Sequence, residues 1–345
     1  LSGNSPIPGA ELCSIVELMY SYEILFSITG NIKWLDRLEM LAYNSLPAAV
    51  SPDMWTHQYD QMINQVASFP MSKQPFRTNS NEAHLFGLEP NFGCCTANFG
   101  QGFPKLALST FFKTEKGIAS CILSPAAVET EIGGAKVMCE LVTQYPFRGA
   151  LKYIIKTDAP IEFSLFIRIP SFAKSAEIDK AEVKCGEFAE ISREWNGRTE
   201  IEVNLDFETE IVSRPENMAC VRRGALIYSI PIKEKLEKVE YIKDGVERKY
   251  PYCDYYIYPQ SKWNYALADD KFELSEQEFD APFNTENPPI TLTAELVEIE
   301  WGFNCGHCDR LPKSTEPLSA IQKIKLIPYG CTNLRITEVP LVKSI

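Results

Sequence analysis

The chain has 345 residues, a formal charge of −12 and 45% hydrophobic residues, enough for conventional cores in two or three domains. The acidic balance argues against a nucleic-acid backbone or an anionic membrane as partner, and no apolar run is expected to reach the roughly 18 residues of a membrane span. Eleven scattered cysteines, an odd number, do not form a disulfide framework. They favour a reducing cytoplasm, with a bacterial periplasm as the alternative.

Residues 1–113 have a helical pattern. Gly9-Ala-Glu-Leu-Cys13 leads into a helix over Ser14 to Ile28, apolar at Ile15, Val16, Met19, Leu25 and Phe26 and ended by Gly30. Residues two apart point about 200° from each other in a helix but to the same side of an extended segment. Glu11 and Cys13 can therefore share a ligand only if Glu11 precedes the helix. A second helix starts near Asn31, with Ile32, Leu35, Leu38 and Leu41 inward, Asp36, Arg37 and Glu39 towards solvent, and Pro47 as its stop.

Ser51 to Asn91 is loop-like, with prolines at 52, 70, 75 and 90. A connection this long is usually functional or partly disordered. Its aromatics and amides are the types that stack on and bond to sugars, which makes Trp55, His57 and Tyr59 substrate-contact candidates.

Asn91-Phe-Gly-Cys-Cys-Thr-Ala-Asn-Phe-Gly-Gln-Gly-Phe-Pro-Lys105 then opens a helix whose apolar side carries Phe103, Leu106, Ala107 and Phe111. Cys94 and Cys95 fall at its start, where free N–H groups and the helix dipole favour a thiolate. Core packing competes with metal binding or catalysis as the role of this pair. With Glu11 and Cys13 the pair makes one oxygen and three sulfur ligands, a set suited to tetrahedral zinc.

After Phe112 the period becomes two. Ile161, Phe163, Leu165, Ile167 and Ile169 alternate with polar residues including Arg168, and Ile201, Val203, Leu205 and Phe207 do the same. This predicts antiparallel strands with one wet face, and a β-sandwich over 114–218. A second β-sandwich is expected over 219–345, with strands in Met218 to Ile230, Ala294 to Trp301 and Ile321 to Ile336. Asp269 to Pro289 reads as a solvated acidic loop, and Tyr250 to Tyr258 is tyrosine-rich. Cys305-Gly-His-Cys308 has redox or half-zinc-site spacing but no helix or second pair beside it, so a loop with two semi-buried thiols is the simpler reading. Cys121, Cys139, Cys185, Cys220, Cys253 and Cys331 are expected in the core.

A Glu-x-Cys opening one helix, a Cys-Cys-x-x-Asn opening another about eighty residues later and β-rich sequence after it together resemble glycoside hydrolase family 127, the β-L-arabinofuranosidase group. The resemblance extends through Gln101-Gly-Phe-Pro-Lys105, Val221-Arg-Arg-Gly-Ala-Leu-Ile-Tyr228 and Ile327-Pro-Tyr-Gly-Cys-Thr-Asn-Leu-Arg-Ile336. It implies that 1–113 is the C-terminal part of an (α/α)6-barrel catalytic domain, with zinc held by Glu11, Cys13, Cys94 and Cys95. Cys94 would be the nucleophile of a retaining reaction that releases L-arabinofuranose or a related furanose from plant glycans. Asn98, one turn on, would support it. The acid/base glutamate and the sugar-lining histidines of the family precede the Glu-x-Cys motif, so the chain reads as the C-terminal portion of a longer protein.

The expected partner is an oligosaccharide or glycoside, and a homodimer is the candidate assembly. A non-catalytic carbohydrate-binding or scaffold protein with a structural zinc is the alternative, as is a pair of metal-free β-sandwich modules.

Overall fold

The computed structural model describes residues 5–51, 53–76, 79–87 and 93–342. The prolines at 52 and 90 and the Asn91-Phe92 start of the cysteine motif lie outside the described residues.

A two-residue strand β1 (Ala10–Glu11) leads into α1 (Leu12–Thr29), which buries Ile15, Val16, Met19 and Phe26 and ends at Gly30 in the left-handed region (φ 63°). The Gly30 N–H closes the helix on the Phe26 carbonyl. The side chain of Asn31 accepts the Lys33 N–H at the start of α2 (Lys33–Met40). Beyond α2 the chain widens into a π-helical turn (Leu41–Ser45) and re-forms as α3 (Leu46–Ala48), with Pro47 in the first turn, where its missing N–H costs nothing. The cysteine-pair helix is α4 (Gly93–Leu108). It packs closely on α1 at Gly102, where a Cβ would come within 3.2 Å of Val16 and 3.1 Å of Leu46, so a larger residue would force those side chains to shift.

Two expectations for these helices are corrected. Ala107 and Leu108 are exposed and Phe111 lies in a strand, so the inward side of α4 is narrower than its sequence suggests. Asp36 and Glu39 face inward. Arg168, fully buried on a strand, donates to both Glu39 oxygens at 2.6 and 2.8 Å and to Asp36 at 2.9 Å. The Tyr145 hydroxyl also donates to Glu39 (2.6 Å) and Ser171 to Asp36 (2.5 Å). Arg168 thus has no wet face, because the helices cover the sheet there.

α1 also corrects the expectation about apolar runs. It has 18 residues with a mean hydropathy of 1.3, long and apolar enough by length and composition to cross a membrane. A third of it is buried within the fold, and its Glu23 accepts a hydrogen bond from Ser109 in that interior.

Among its described residues the segment between α3 and α4 contains one short strand, β2 (Asp60–Gln61), yet it is not a surface loop. Thr56 to Gln61 and Asn64 to Ser68 are buried. Its amides are used on backbone. Gln58 donates to the His84 carbonyl, Gln61 to that of Ser45, Asn64 to that of Glu338 and Gln65 to that of Asn333. Buried irregular backbone needs such partners, which is why the stretch is rich in Asn and Gln.

The remainder is mostly β. The first large sheet contains β3 (Phe111–Thr114), β4 (Gly117–Ser120), β5 (Ala126–Ile132), β6 (Ala135–Thr143), β7 (Ala150–Ile169), β8 (Ser175–Ile178), β9 (Ala181–Val183) and β10 (Glu187–Asp206). β7 and β10 run antiparallel along their length, with a bulge between Trp195 and Gly197. β6 pairs with the first half of β7 and β4 with the second, giving a sandwich-like sheet around Tyr153, Leu165, Ile167 and Trp195.

β11 (Thr209–Arg214), β12 (Met218–Arg223) and β13 (Leu226–Pro231) begin a second large sheet. The hairpin β15 (Tyr241–Lys243) and β16 (Val246–Arg248) lies between the paired strands β14 (Glu234–Val239) and β17 (Asp254–Pro259). β18 (Tyr265–Glu276), β19 (Ile290–Glu298) and β22 (Gln322–Pro328) continue the large sheet, joined by short β23 (Arg335–Ile336) and β24 (Val339–Pro340). The acidic stretch is therefore strand as far as Glu276 and irregular only after it. Cys305 and Gly306 form the turn between β20 (Phe303–Asn304) and β21 (His307–Cys308), leaving Cys305 exposed and Cys308 fully buried. Of the cysteines assigned to the core, five are buried and Cys185 is half-buried.

Candidate functional site

Three short segments converge at one end of the helical region. β1 pairs antiparallel with β2, placing Glu11 opposite Asp60, and the Leu12 N–H donates to the Tyr59 carbonyl at 2.8 Å. This pairing requires Gly9, since a Cβ there would stand 2.5 Å from the Asp60 Cγ. It also keeps Glu11 extended (φ −69°, ψ 133°) immediately before α1, with no capping bond from its side chain. Cys13 follows in the first turn of α1, while α4 brings Cys94 and Cys95 in its own first turn.

The ligating atoms of Glu11, Cys13, Cys94 and Cys95 lie within 4.8 Å of one another, and the Cys13 and Cys95 sulfurs are 3.3 Å apart. Cys95 is buried, Glu11 and Cys13 are half-buried and Cys94 is exposed. A tetrahedral zinc with bonds of about 2.3 Å to sulfur would separate its sulfur ligands by about 3.8 Å. The four groups fit a metal ion with separations that change by about half to one ångström, and the donor set is compatible with zinc.

For Cys13 and Cys95 the electrostatics oppose a ready thiolate. Burial, then the crowding of Cys94 and Glu11, pushes the Cys13 thiol up to about 12. Burial and the neighbouring thiols push Cys95 still higher. Helix-start N–H groups do not offset this. A cation among the four groups would favour the charged forms of Cys13 and Cys95 that burial disfavours.

Tyr59 reaches the cluster. Its phenol is raised by burial and then by the Glu11 carboxylate that it faces. Asp60 is raised to about 6, chiefly by burial, although Asn79 donates to it at 2.6 Å. His57 stacks on Phe99 of α4 at 5.5 Å between ring centroids and 5° between planes, one helical turn beyond Cys95. Trp55 sits on the surface, away from the buried part of the segment, with its indole N–H on the Pro251 carbonyl. The Asn98 side chain donates to the Cys94 backbone carbonyl at 3.1 Å, so it braces the turn carrying that thiol.

Asp60 and Phe99 were not anticipated as neighbours of the site. A two-residue strand pair has no legible period, and Phe99 lay inside the cysteine motif without a partner to reveal its role.

Comparisons with known proteins agree on one family. Residues 4–108 match the family profile described as beta-L-arabinofuranosidase, GH127 catalytic domain, and residues 118–207 match the GH127 middle domain. No curated protein matches the chain. Among solved structures, one described as a glycoside hydrolase is similar over 97% of this chain and 52% of its own, with a TM-score of 0.65 and 17% identity. A GH127 beta-L-arabinofuranosidase from Geobacillus stearothermophilus T6 is similar over 96% of this chain and 50% of its own, with a TM-score of 0.62 and 17% identity. A GH127 beta-arabinofuranosidase is similar over 96% and 49%, with a TM-score of 0.61 and 15% identity. The chain thus spans about half the length of the solved structures it matches, and at these identities the likeness is one of fold. The two family domains match in order over more than half of the sequence, and the first of them contains all four clustered residues: the chain belongs to glycoside hydrolase family 127.

Proposed function

We propose that the chain is part of a retaining glycoside hydrolase in which Cys94, held in a zinc site with Glu11, Cys13 and Cys95, is the nucleophile. The observation that carries this reading is the unequal exposure of one tight cluster: Cys95 is buried, and Cys94 alone of the four is an exposed residue. The helices would then belong to an (α/α)6 barrel.

A bound zinc ion supplies the positive charge that keeps the clustered sulfurs deprotonated. Cys94 forms a sulfur–carbon bond to the anomeric carbon as the glycosidic carbon–oxygen bond breaks, and the leaving oxygen takes a proton from a carboxylic acid. Water then attacks the same carbon, gives its proton to that carboxylate and releases Cys94 as a thiolate. Two inversions retain the configuration. The family resemblance assigns the acid to a glutamate preceding Glu11, and none of the ten residues before Glu11 in this chain is acidic. Tyr59 and His57 border the sugar position, Tyr59 by facing Glu11 and His57 by stacking on α4. The substrate is a β-L-arabinofuranoside or a related furanoside of plant origin.

Replacing Cys94 by Ser in the active full-length protein is expected to lower turnover by at least about 10³-fold. A furanose-configured epoxide should add its own full mass to the Cys94 peptide of the parent protein, as the sulfur–carbon bond forms and the ring carbon–oxygen bond opens, read by mass spectrometry. Turnover near the parent level in the variant, or labelling elsewhere, would sink the proposal. A shell filled by four protein ligands also suits a structural metal. Metal binding with no labelling of Cys94 would favour that reading.

A further inference from the structure

Trp55 and Tyr252 come from two distant parts of the sequence and meet on the surface, with Tyr250 two residues before Tyr252 and also exposed. Trp55, Tyr250 and Tyr252 are 38%, 58% and 51% exposed, and Met54 beside them is 50% exposed. The Trp55 and Tyr252 rings lie 5.6 Å apart at 58°. Large aromatics left in water at this density form a contact surface rather than scattered exposure.

The patch is also held in place. The Trp55 backbone N–H donates to Asp53 (3.1 Å) and its indole N–H to the Pro251 carbonyl (3.0 Å). The Tyr255 hydroxyl donates to the same carbonyl (3.0 Å), and the Tyr252 N–H closes a turn on Lys249 (2.7 Å). Glu240 accepts the Tyr250 N–H (2.9 Å), and the Lys238 ammonium covers one face of the Tyr250 ring at 3.6 Å. A fixed aromatic face loses little freedom when it binds, which suits weak, flat ligands.

From these observations we infer that Trp55, Tyr250 and Tyr252 form a platform for a neutral glycan, holding sugar units of the substrate beyond the one that is cleaved. The inference rests on the glycosidase reading above. Its position supports a sugar occupant, since the segment that presents Trp55 continues directly to His57, stacked on α4, and to Tyr59, facing Glu11. The chemistry fits as well. Aromatic faces pack against sugar C–H groups, while the phenol hydroxyls, Asp53 and Lys238 at the margin can bond to sugar hydroxyls.

The test is titration calorimetry of the chain with linear arabinopentaose, xylopentaose and cellopentaose. Tyr252→Ala and Trp55→Ala are each expected to raise the Kd of the bound pentasaccharide at least about fivefold. Tyr20→Ala, an aromatic on α1 that is 40% exposed, serves as the control and should leave Kd unchanged. Three results would overturn the platform: no pentasaccharide bound by the parent chain, a Kd unaffected by Tyr252→Ala, or an equal effect of Tyr20→Ala. A changed elution volume on size exclusion for the patch variants, without a change in glycan binding, would instead make the face a protein contact and also overturn it. Aromatic-dependent binding of xylopentaose alone would support the platform and reject the arabinoside reading. Such binding with no epoxide labelling of Cys94 would support the platform and reject the nucleophile.

Discussion

Glu11 stands where a helix ordinarily carries a capping side chain, yet its carboxylate is turned to Tyr59 and the thiols of Cys13, Cys94 and Cys95. That choice leaves the first turn of α1 less well capped, a cost on the order of 1 kcal/mol in helix stability, and brings an oxygen donor to the cluster. His84 makes a different trade. Fully buried against Phe76, it is pushed down to about 3 by burial, despite a backbone hydrogen bond with Phe69. The folded state therefore keeps this imidazole neutral while the unfolded chain, with an ordinary value of 6.5, takes a proton first. Stability is lost as pH falls through that interval, with a slope of about 1.4 kcal/mol per pH unit for one proton. Urea unfolding of the parent and His84→Asn should show the parent's advantage shrinking by about 2–3 kcal/mol between pH 6.5 and 4.5. A pH-independent difference would contradict the buried neutral ring. At this scale the sequence was informative where a residue type carries its own chemistry, as in Glu-x-Cys and Cys-Cys. It was silent where burial decides, because nothing local marks Cys13 or Cys95 as a thiol whose proton is held by burial.

Among the elements, α2 and β7 show how a local pattern can be right about structure and wrong about environment. Both periods predict the correct element, and Leu35, Leu38, Leu165 and Ile167 are all buried as expected. The polar residues between them meet one another because α2 lies over the sheet. Arg168 is thereby fully buried with Glu39 bonded at both oxygens and Asp36 alongside. A buried charge pair adds little net stability when complete but is expensive to break. Arg168→Met, which strands two carboxylates, should cost about 3–5 kcal/mol in urea unfolding. A loss below about 1 kcal/mol would show that the triad does not tie α2 to β7. The segment between α3 and α4 is the opposite case. Its prolines and amides pointed correctly to little regular structure, but the amides serve buried backbone, and of the three sugar-contact candidates Tyr59 and His57 reach the cluster or the helix that carries it.

At the scale of the whole molecule, the site depends on parts distant in sequence. The β1–β2 pairing fixes Glu11, the Gly102 contact sets α4 against α1, and the Arg168 triad fastens the helices to the first large sheet. The second sheet enters through Arg335, which donates to the Met62 carbonyl at 2.8 Å, and through Tyr329, which donates to Gln61 at 2.8 Å. Sequence periods exposed the helical and β-rich regions, but pairings over such separations have no local signature. The convergence of Glu-x-Cys with Cys-Cys was legible only as chemistry: the ligand set suggested a shared cation before any contact was known. The central claim is that these four groups hold one zinc ion, and it is tested most directly by elemental mass spectrometry of protein purified without added metal. About one zinc per chain in the parent, lost in the Cys94→Ser/Cys95→Ser double variant, is the expected result. A parent chain that contains no zinc and takes up none on incubation, or a double variant that keeps its zinc, would contradict it.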